Sequence, residues 1–357
     1  MKILVIANLY PSKSDPSYGT FVKNFVDGLS DKQNVEIELC VIRGRAKNKL
    51  AKLLKYVIFL STALYLLMFR KYDLVYNHII THAAISLRIA TFFRDIPLVF
   101  NIHGEDLLTK TRISQYGLKL VTPLLYKAKL IVVPSNFFKK KTLEIFPCID
   151  PKIIFVSASG GVSKKFFHLN TDCKISREKI VVGYVSRIDR GKGWNIFIDA
   201  IVGLKAKGMN IEGVLAGTGF QVPNMKDYIN KKEISCIKYV GAIPYDDLPL
   251  FYSGLDLFVF PTMLEESLGL VGLEAMACSV PVVATEIGGI TDYVKNGFNG
   301  FFFSKGNVKE LEEKINRYIS LNDREKMLIR KNAYNTAKDY EAGLIIDRIY
   351  EKLLSLI

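Results

Sequence analysis

Two carboxylates, Glu266 and Glu274, stand eight residues apart in the C-terminal half of the sequence. Residues 268–278 are apolar on nearly every side of a helix, which predicts a buried helix with Glu274 inside it. An unpaired buried carboxylate is costly, so Glu274 requires a partner or a ligand. The free backbone amides of residues 267–270, at the helix start, would suit an anion. The structural alternative makes Glu266 an ordinary residue of the first helical turn and Glu274 half of a salt bridge.

A second loop carries two basic residues, Arg187 and Lys192, between an apolar strand and a helix, with two glycines beside them. A guanidinium can bind phosphate oxygens through two hydrogen bonds, an ammonium adds a point charge, and glycine permits close backbone approach. This loop predicts a phosphate site, and the alternative is a pair of solvated charges. Eight residues of helical rise span about 12 Å, which would place Glu266 and Glu274 near opposite ends of a nucleotide sugar.

The elements that must position these residues form a βα repeat. Short β-branched or apolar runs alternate with helix-like stretches, which predicts parallel sheets covered by helices. The first series of predicted strands is 2–7, 35–42, 74–76, 98–102, 130–133 and 153–156. The second is 179–185, 211–216, 237–240, 257–260, 280–284 and 300–303, and residues 308–357 predict terminal helices.

The two series predict two Rossmann-like, doubly wound domains. We expect a first domain at residues 1–165, a linker at 166–177 and a second domain at 178–339. Neither first βα turn carries G-x-G-x-x-G, which disfavours ordinary NAD binding.

Charge is distributed unevenly along the 357 residues. Residues 1–165 hold 25 basic and 11 acidic residues, whereas residues 166–357 hold 24 of each, so the whole formal charge of +14 belongs to the first part. A basic half predicts an anionic partner, nucleic acid or acidic lipid. No RNA- or DNA-binding motif is present, so nucleic acid is disfavoured.

Acidic lipid is favoured by the region from Arg43 to Lys71. Six basic residues lead into fourteen uncharged ones, Tyr56 to Phe69, and Arg70 and Lys71 follow. Spanning a bilayer takes about 20 apolar residues, so we expect this segment to lie on an anionic membrane surface and not to cross it. An ordinary helix packed on a sheet is the alternative.

The five cysteines are scattered without a C-x-x-C pair, which indicates a reducing compartment. The apolar run at the N-terminus is too short for a signal-peptide core. We therefore expect a cytoplasmic protein, peripheral on the inner face of the cell membrane if the basic half binds lipid.

The motifs together resemble the GT4 family of retaining glycosyltransferases (glycosyl transferases group 1), which have the GT-B fold. The similarity rests on the E-x7-E pair of Glu266 and Glu274, on residues 281–289 (PVVATEIGG), and on Arg187 with Lys192. It extends to residues 215–219 (LAGTG), 240–241 and 296–300 (NGFNG) and so covers residues 179–303. The resemblance implies two Rossmann-like domains that face each other across a cleft, an acceptor-side domain at residues 1–165 and a nucleotide-sugar-binding domain at 178–339. It also implies that a C-terminal helix at about 340–357 packs back on the first domain.

The resemblance also implies roles for individual residues. Arg187 and Lys192 would neutralise the departing diphosphate, Glu266 would hold sugar hydroxyls, and Glu274 would accept the ribose hydroxyls. His103, after the fourth strand, would contact the donor sugar, whereas His78 and His82 are expected to be structural. The other expected donor-binding residues are Gly19, Gly217, Gly219, Ser267, Leu268, Gly269 and Leu270.

The implied reaction transfers a sugar from a nucleotide sugar, expected to be a UDP-sugar, with retention of anomeric configuration. The acceptor would be a hydroxyl of a glycan or lipid-linked molecule in surface polysaccharide synthesis, such as capsule or lipopolysaccharide. Cations placed at the developing negative charge lower the barrier, and no D-x-D occurs in the sequence. We therefore expect activity without a metal or other cofactor. By the same resemblance, the leaving phosphate takes the acceptor proton.

Three positions depart from the family pattern: Ser267-Leu268 stands for Gly-Phe, Ser279 stands for Gly, and Ser17-Tyr18-Gly19 lacks paired glycines. Two other functions remain open. One is a non-hydrolysing nucleotide-sugar epimerase of the same fold. The other is a non-catalytic, membrane-associated subunit of a polysaccharide assembly complex, which the intact Arg187, Lys192, Glu266 and Glu274 disfavour.

Overall fold

The computed structural model describes residues 1–15, 18–104, 106–108, 111–158, 160–167 and 179–357. By internal contacts the chain forms two compact units, Met1–Gly160 with Gly343–Ile357, and Gly161–Ala342. The division therefore comes five residues before the boundary expected at residue 165. Of the predicted linker, 166–177, only the first two residues are described, and Phe166 is fully buried in the second unit.

The first unit contains a six-stranded parallel sheet in the order β2-β1-β3-β4-β5-β6. Its strands are β1 (Lys2–Tyr10), β2 (Glu36–Arg43), β3 (Leu74–His78), β4 (Leu98–Asn101), β5 (Leu130–Val133) and β6 (Ile154–Val156). Its helices are α1 (Thr20–Ser30), α2 (Lys49–Phe69), α3 (Ala84–Phe93), α4 (Arg112–Leu125) and α5 (Asn136–Ile145), with α12 (Ala342–Leu354) from the C-terminus.

The second unit contains another six-stranded parallel sheet, in the order β12-β11-β10-β7-β8-β9. Its strands are β7 (Ile180–Val185), β8 (Ile211–Ala216), β9 (Ile237–Gly241), β10 (Leu257–Phe260), β11 (Val282–Thr285) and β12 (Gly300–Phe303). Its helices are α6 (Trp194–Ala206), α7 (Val222–Lys231), α8 (Leu248–Ser253), α9 (Leu270–Ala277), α10 (Val308–Ile319) and α11 (Asp323–Lys338).

All twelve predicted strands are present, and the α/β fold class is confirmed. Central strands such as β5 and β10 are buried at every residue, which is why the sequence shows continuous apolar runs there and no alternation. β1 is longer than predicted, because its pairing with β2 continues past a register shift to Tyr10 and Arg43. Asn8 therefore lies in the strand and not in the following loop.

Helices cover both faces of the first sheet. The buried sides of α2, α3 and α4 belong to one apolar core with one face of the sheet, which includes Leu4, Val75 and Phe100. The buried sides of α1 and α12 belong to a second core with the opposite face. In that core Ile349 and Leu353 of α12 are fully enclosed, so the last helix of the chain completes the first unit.

We expect Leu353→Ala to reduce the free energy of unfolding of the first unit by about 2–5 kcal/mol, because it removes buried methyl groups and leaves a cavity. Leu354→Ala is the matched control, since that side chain is 41% exposed. Urea unfolding followed by hydrogen exchange measures the stability of each unit, with peptides of β1 reporting on the first unit and peptides of β8 on the second. Equal effects of the two substitutions would contradict the packing of α12.

Candidate active site

The loops that carry the expected residues of the second unit leave one edge of its sheet. β11, β10, β7 and β8 are adjacent and parallel, so their carboxyl ends lie side by side. Ligands of open α/β sheets bind at this edge. The loop after β7 contains Arg187 and Lys192, and the loop after β10 contains Glu266.

Lys192 and Glu266 form an ion pair. The Nζ of Lys192 lies 2.7 Å from Oε1 of Glu266, and the two side chains are only 12% and 17% exposed. The hydroxyl of Thr262 donates to the same oxygen at 2.8 Å. The sequence predicted separate roles for these residues, phosphate binding for Lys192 and binding of sugar hydroxyls for Glu266. In the structure the two side chains form one charged pair that is largely buried.

Close backbone contacts place Lys192 in this pair. Gly193 has φ +75°, and a Cβ there would come within 1.9 Å of the carbonyl oxygen of Pro261. The amide of Met263 donates to the carbonyl of Gly191 at 2.7 Å, and the Tyr184 hydroxyl donates to the carbonyl of Lys192. The loops after β7 and β10 thus touch through their backbones, which only glycine at 193 permits.

Arg187 differs from Lys192 in being accessible. Its side chain is 68% exposed, and its Nη1 lies 3.6 Å from Oδ2 of Asp189. An exposed ion pair of this kind is weak. The guanidinium can leave Asp189 to bind an anion at the same sheet edge.

Gly217 and Gly219 hold the loop of Arg187. At Gly217, with φ +132°, a Cβ would come within 1.8 Å of the carbonyl oxygen of Ser186, and at Gly219 within 2.5 Å of that of Ile188. The amide of Ile188 also donates to the carbonyl of Thr218. The structure therefore shows both glycines packing the loop after β8 on the loop after β7.

α9 begins at Leu270, later than expected, with Gly269 as its left-handed N-cap at φ +83°. Residues 261–269 are not helical, so the 12 Å estimate from helical rise between Glu266 and Glu274 is wrong. Within the described chain, the amides of Leu268 and Leu270 and of the Gly269 between them have no acceptor. These N–H groups are free to bind an anion, and such binding stays a prediction.

The loop before α9 rests on a glycine pair after β11. The amide of Gly289 donates to the carbonyl of Glu266 at 2.8 Å, and a Cβ at Gly289 would meet the carbonyl of Ser267 at 2.3 Å. A Cβ at Gly288 would meet the Glu266 backbone at 2.6 Å. The two glycines therefore position Glu266 and Ser267, a role that the sequence analysis did not assign to them.

Glu274 is buried in α9, as predicted, and is not part of a salt bridge within the described residues. Its Oε2 accepts from the hydroxyl of Tyr252 at 3.4 Å. Burial raises the pKa of Glu274 to about 7, and the Tyr252 hydrogen bond lowers it less. Such a carboxyl has acceptor capacity left for a ligand hydroxyl.

His103 lies at the carboxyl edge of the sheet in the first unit and is paired with His78, which the sequence analysis treated as structural. Nε2 of His103 lies 3.0 Å from Nδ1 of His78, and the rings stack 5.3 Å apart. The carboxylate of Asp106 accepts from the amides of His103 and Gly104, which fixes the loop. Only the meeting of β3 and β4 in the sheet reveals this histidine pair.

Burial keeps both histidines neutral. It lowers the pKa of His103 to about 3, and it lowers the pKa of His78 well below the usual range, with a further effect from His103. The unfolded chain takes up these protons near pH 6.5. The stability contributed by the neutral pair is therefore present above pH 6.5 and is lost as the pH falls from there toward 3.

Gly19 is the N-cap of α1, with φ +77°. A Cβ at this position would come within 2.5 Å of the Leu9 side chain and 2.8 Å of the Leu9 backbone. Its observed role is therefore to let the start of α1 pack on the end of β1, and its expected contact with the donor stays a prediction.

An unexpected polar cluster lines the same edge of the first sheet. It comprises Asn8 of β1, Asn77 and His78 of β3, and Asn101 of β4, all buried. Within the described residues, five of their side-chain atoms have no hydrogen-bond partner. Because buried polar groups are normally satisfied, this edge is suited to bound water or ligand hydroxyls.

We expect Glu274→Gln to raise the free energy of unfolding at pH 8 by on the order of 3 kcal/mol. The wild-type carboxyl must ionise in a buried position above its pKa of about 7, whereas the unfolded chain ionises near 4.5. The contribution of Glu274 to stability therefore falls as the pH rises from 4.5 to 7, because only the folded chain still holds the proton there.

Urea unfolding of both chains between pH 4 and 8 measures this difference. It should vanish below pH 4.5. Exposed Glu313→Gln is the control and should show no such pH dependence. If the free energy of unfolding changed with pH in the same way for wild type and Glu274→Gln, the raised pKa of a buried Glu274 carboxyl would be refuted.

Comparison with known proteins supports the interpretation of both units. The family model described as glycosyl transferases group 1 matches residues 171–336, and that described as Glycosyltransferase Family 4 matches residues 21–157. The capsular polysaccharide biosynthesis glycosyltransferase CapM of Staphylococcus aureus is 28% identical over 279 residues, 75% of this chain and 72% of its own.

A second relative is the lipopolysaccharide 1,2-N-acetylglucosaminetransferase of Salmonella typhimurium, 29% identical over 57% of this chain and 56% of its own. Among solved structures, HepE of Anabaena in complex with UDP and glucose superimposes with a TM-score of 0.73 and 21% identity over 99% of each chain. Two family models that together match most of both units, and a shared architecture, lead to one conclusion. The chain belongs to the group 1 glycosyl transferases, glycosyltransferase family 4, and has the GT-B fold.

Proposed function

We propose that this glycosyltransferase moves a sugar from a UDP-sugar to a hydroxyl of a lipid-linked or glycan acceptor, with retention of configuration, in surface polysaccharide synthesis. The observation that carries the proposal is the sheet edge of the second unit. There Arg187, the Lys192–Glu266 pair and the amides that begin α9 all lie on loops at the carboxyl ends of adjacent strands.

The similar proteins support the nature of donor and product. CapM acts in capsular polysaccharide biosynthesis by its name, and the Salmonella relative is a lipopolysaccharide N-acetylglucosaminetransferase. HepE has been solved with UDP and with UDP-glucose. These names favour a UDP-sugar and a surface glycan over other nucleotides and acceptors.

The chemistry requires stabilisation of charge at the leaving group. When the bond from the anomeric carbon to the diphosphate breaks, negative charge grows on phosphate and positive charge on the sugar ring. Fixed donors aimed at the phosphate lower this barrier. Arg187 and the amides of Leu268 to Leu270 are the donors in reach of an anion at this edge, and Lys192 adds an ammonium.

Lys192 and Glu266 act as a unit in this proposal. The Lys192 ammonium lies 2.7 Å from the carboxylate oxygen, so the two opposite charges are held side by side at this sheet edge. Glu266 then accepts hydrogen bonds from sugar hydroxyls and lies where positive charge develops. Lys192 retains two further N–H donors for phosphate oxygens.

Glu274 is proposed to bind the ribose. Its pKa near 7 describes the chain without ligand, and hydroxyl donors from ribose would lower it, because hydrogen bonds to the charged form favour that form. His103, neutral over the physiological range, is proposed to contact the donor sugar through a neutral hydrogen bond. The leaving phosphate oxygen is proposed to take the acceptor proton.

The test is acceptor-dependent release of nucleoside diphosphate from a panel of UDP-, GDP- and ADP-sugars, with a lipid-linked acceptor. Thermal shift selects the donor first, because ligand at a hundredfold excess over its dissociation constant adds about 2.7 kcal/mol of stability. Release that needs the acceptor supports transfer. Release without acceptor would favour an epimerase or a hydrolase, and no release with any donor would favour a non-catalytic subunit.

We expect Arg187→Ala to reduce kcat/KM about 100-fold or more, because one aimed donor at a developing anion is worth that much. Arg190→Ala is the matched control, since it removes an equal charge from an exposed position of the same loop, and should retain the wild-type rate. Equal losses in the two variants would show that loop charge, and not the position of Arg187, matters.

Retention and metal independence are tested on the product. The anomeric configuration of the transferred sugar, read by NMR coupling constants, should match that of the donor. Activity should survive excess EDTA, because Arg187 and Lys192 take the place of a cation at the diphosphate. Inversion, or loss of activity that Mg²⁺ or Mn²⁺ restores, would overturn the respective part of the proposal.

A further inference from the structure

One side of α2 exposes an apolar surface that ordinary packing does not explain. The helix runs for 21 residues, Lys49–Phe69, and has the length and hydropathy of a membrane span. Its inner side, including Phe59, Ala63 and Leu67, is buried in the first unit. Its exposed large apolar residues follow helical spacing on the other side: Leu50, Leu53, Leu54, Val57, Ile58, Tyr65 and Phe69.

α3 and α4 extend this surface. α3 packs on α2, α4 packs on α3, and both bury their inner sides in the same core as α2. Their outer sides therefore face away from the same face of the sheet. Large apolar side chains are exposed there too: Ile85, Ile89, Phe92, Phe93, Ile113 and Tyr116. We call the outer sides of α2, α3 and α4 the apolar face.

The charges on these three helices are all positive. No Asp or Glu occurs in α2, α3 or α4, whereas each contributes basic residues, and two more follow α2 directly. Within the described chain the exposed ones form no ion pair. They are Lys49, Lys52, Arg70, Lys71, Arg88, Arg112 and Lys119. Basic residues at both ends of α2 fit a helix that lies parallel to an anionic surface.

Hydrogen bonds and core packing hold the second half of α2 and its C-terminal end against the first unit, which disfavours insertion of the helix across a bilayer. The Ser86 hydroxyl donates to the carbonyl of Leu60, and the Cys40 thiol donates to that of Phe59. At the end of the helix, the Arg94 guanidinium donates to the carbonyls of Leu67, Met68 and Arg70. Crossing a membrane would break these bonds and open the core.

We propose that the apolar face binds the surface of an anionic lipid bilayer, with α2, α3 and α4 lying on the headgroups and their exposed aliphatic and aromatic side chains entering the acyl boundary. The positive charge of the face favours anionic lipid over a second copy of the chain as the partner, because two copies of the same basic face would repel each other. Binding to lipid is independent of any sugar transfer, so it stands or falls apart from the proposed reaction.

The experiment is co-sedimentation of the full chain with vesicles of phosphatidylcholine alone or with 30% phosphatidylglycerol, without donor or acceptor. We expect binding to the anionic vesicles that weakens as salt rises. Leu53→Gln with Val57→Gln should reduce it at least tenfold, and Lys49→Glu with Lys52→Glu likewise, since each basic residue near the surface contributes measurably. Gln and Glu keep the helix propensity of α2.

Matched controls come from α11 of the second unit. Met327→Gln with Leu328→Gln replaces side chains that are 57% and 58% exposed, and Arg324→Glu with Lys331→Glu reverses exposed charges. Both should bind vesicles like wild type, and circular dichroism should show all variants folded. The proposal would be overturned if the wild-type protein stayed in the supernatant with anionic vesicles, or if the control variants lost as much vesicle binding as the α2 variants. It would also be overturned if the wild-type protein formed a dimer that the substitutions Leu53→Gln and Val57→Gln dissociate, because the face would then bind a second copy of the chain.

Discussion

The ion pair between Lys192 and Glu266 is the interaction on which the second unit's site depends. A charged pair that is largely withdrawn from water persists only when its geometry is good and its remaining hydrogen-bonding capacity is used. The Thr262 hydroxyl uses part of it, and backbone contact at Gly193 fixes where the lysine stands. Closely packed loops, and not a single helix, therefore define where charge can be placed at this sheet edge.

Other glycines also support the site, because they let neighbouring loops pack closely on one another. The conspicuous glycines after β8 and β11 meet neighbouring carbonyl groups at distances that exclude a Cβ. Gly217 supports the loop that carries Arg187, and Gly288 and Gly289 support the loop that carries Glu266. The LAGTG and IGG motifs thus act on the charged residues through the backbone, and this role is compatible with a nearby phosphate.

The first unit presents different chemistry at the corresponding edge of its sheet. Among its described residues are a neutral pair, His78 and His103, and buried asparagine side chains with atoms that have no hydrogen-bond partner. Neutral donors and acceptors suit sugar hydroxyls, as the charged loops of the second unit suit a diphosphate. On the outer sides of α2, α3 and α4, the apolar face joins positive charge to exposed aliphatic and aromatic groups, a combination that suits lipid.

The amino-acid sequence alone determined the twelve strands, the α/β class and the strand-end loops that hold Arg187, Lys192 and Glu266, because apolar runs of strand length and their alternation with helices are local properties. Burial of Glu274 also followed from a helix apolar on every side. Only the tertiary structure decided that Lys192 pairs with Glu266, 74 residues away, and that His78 meets His103. It also decided which side of α2 is exposed. Such outcomes depend on contacts between distant segments, and a helix that is apolar all round does not encode which side will meet the core.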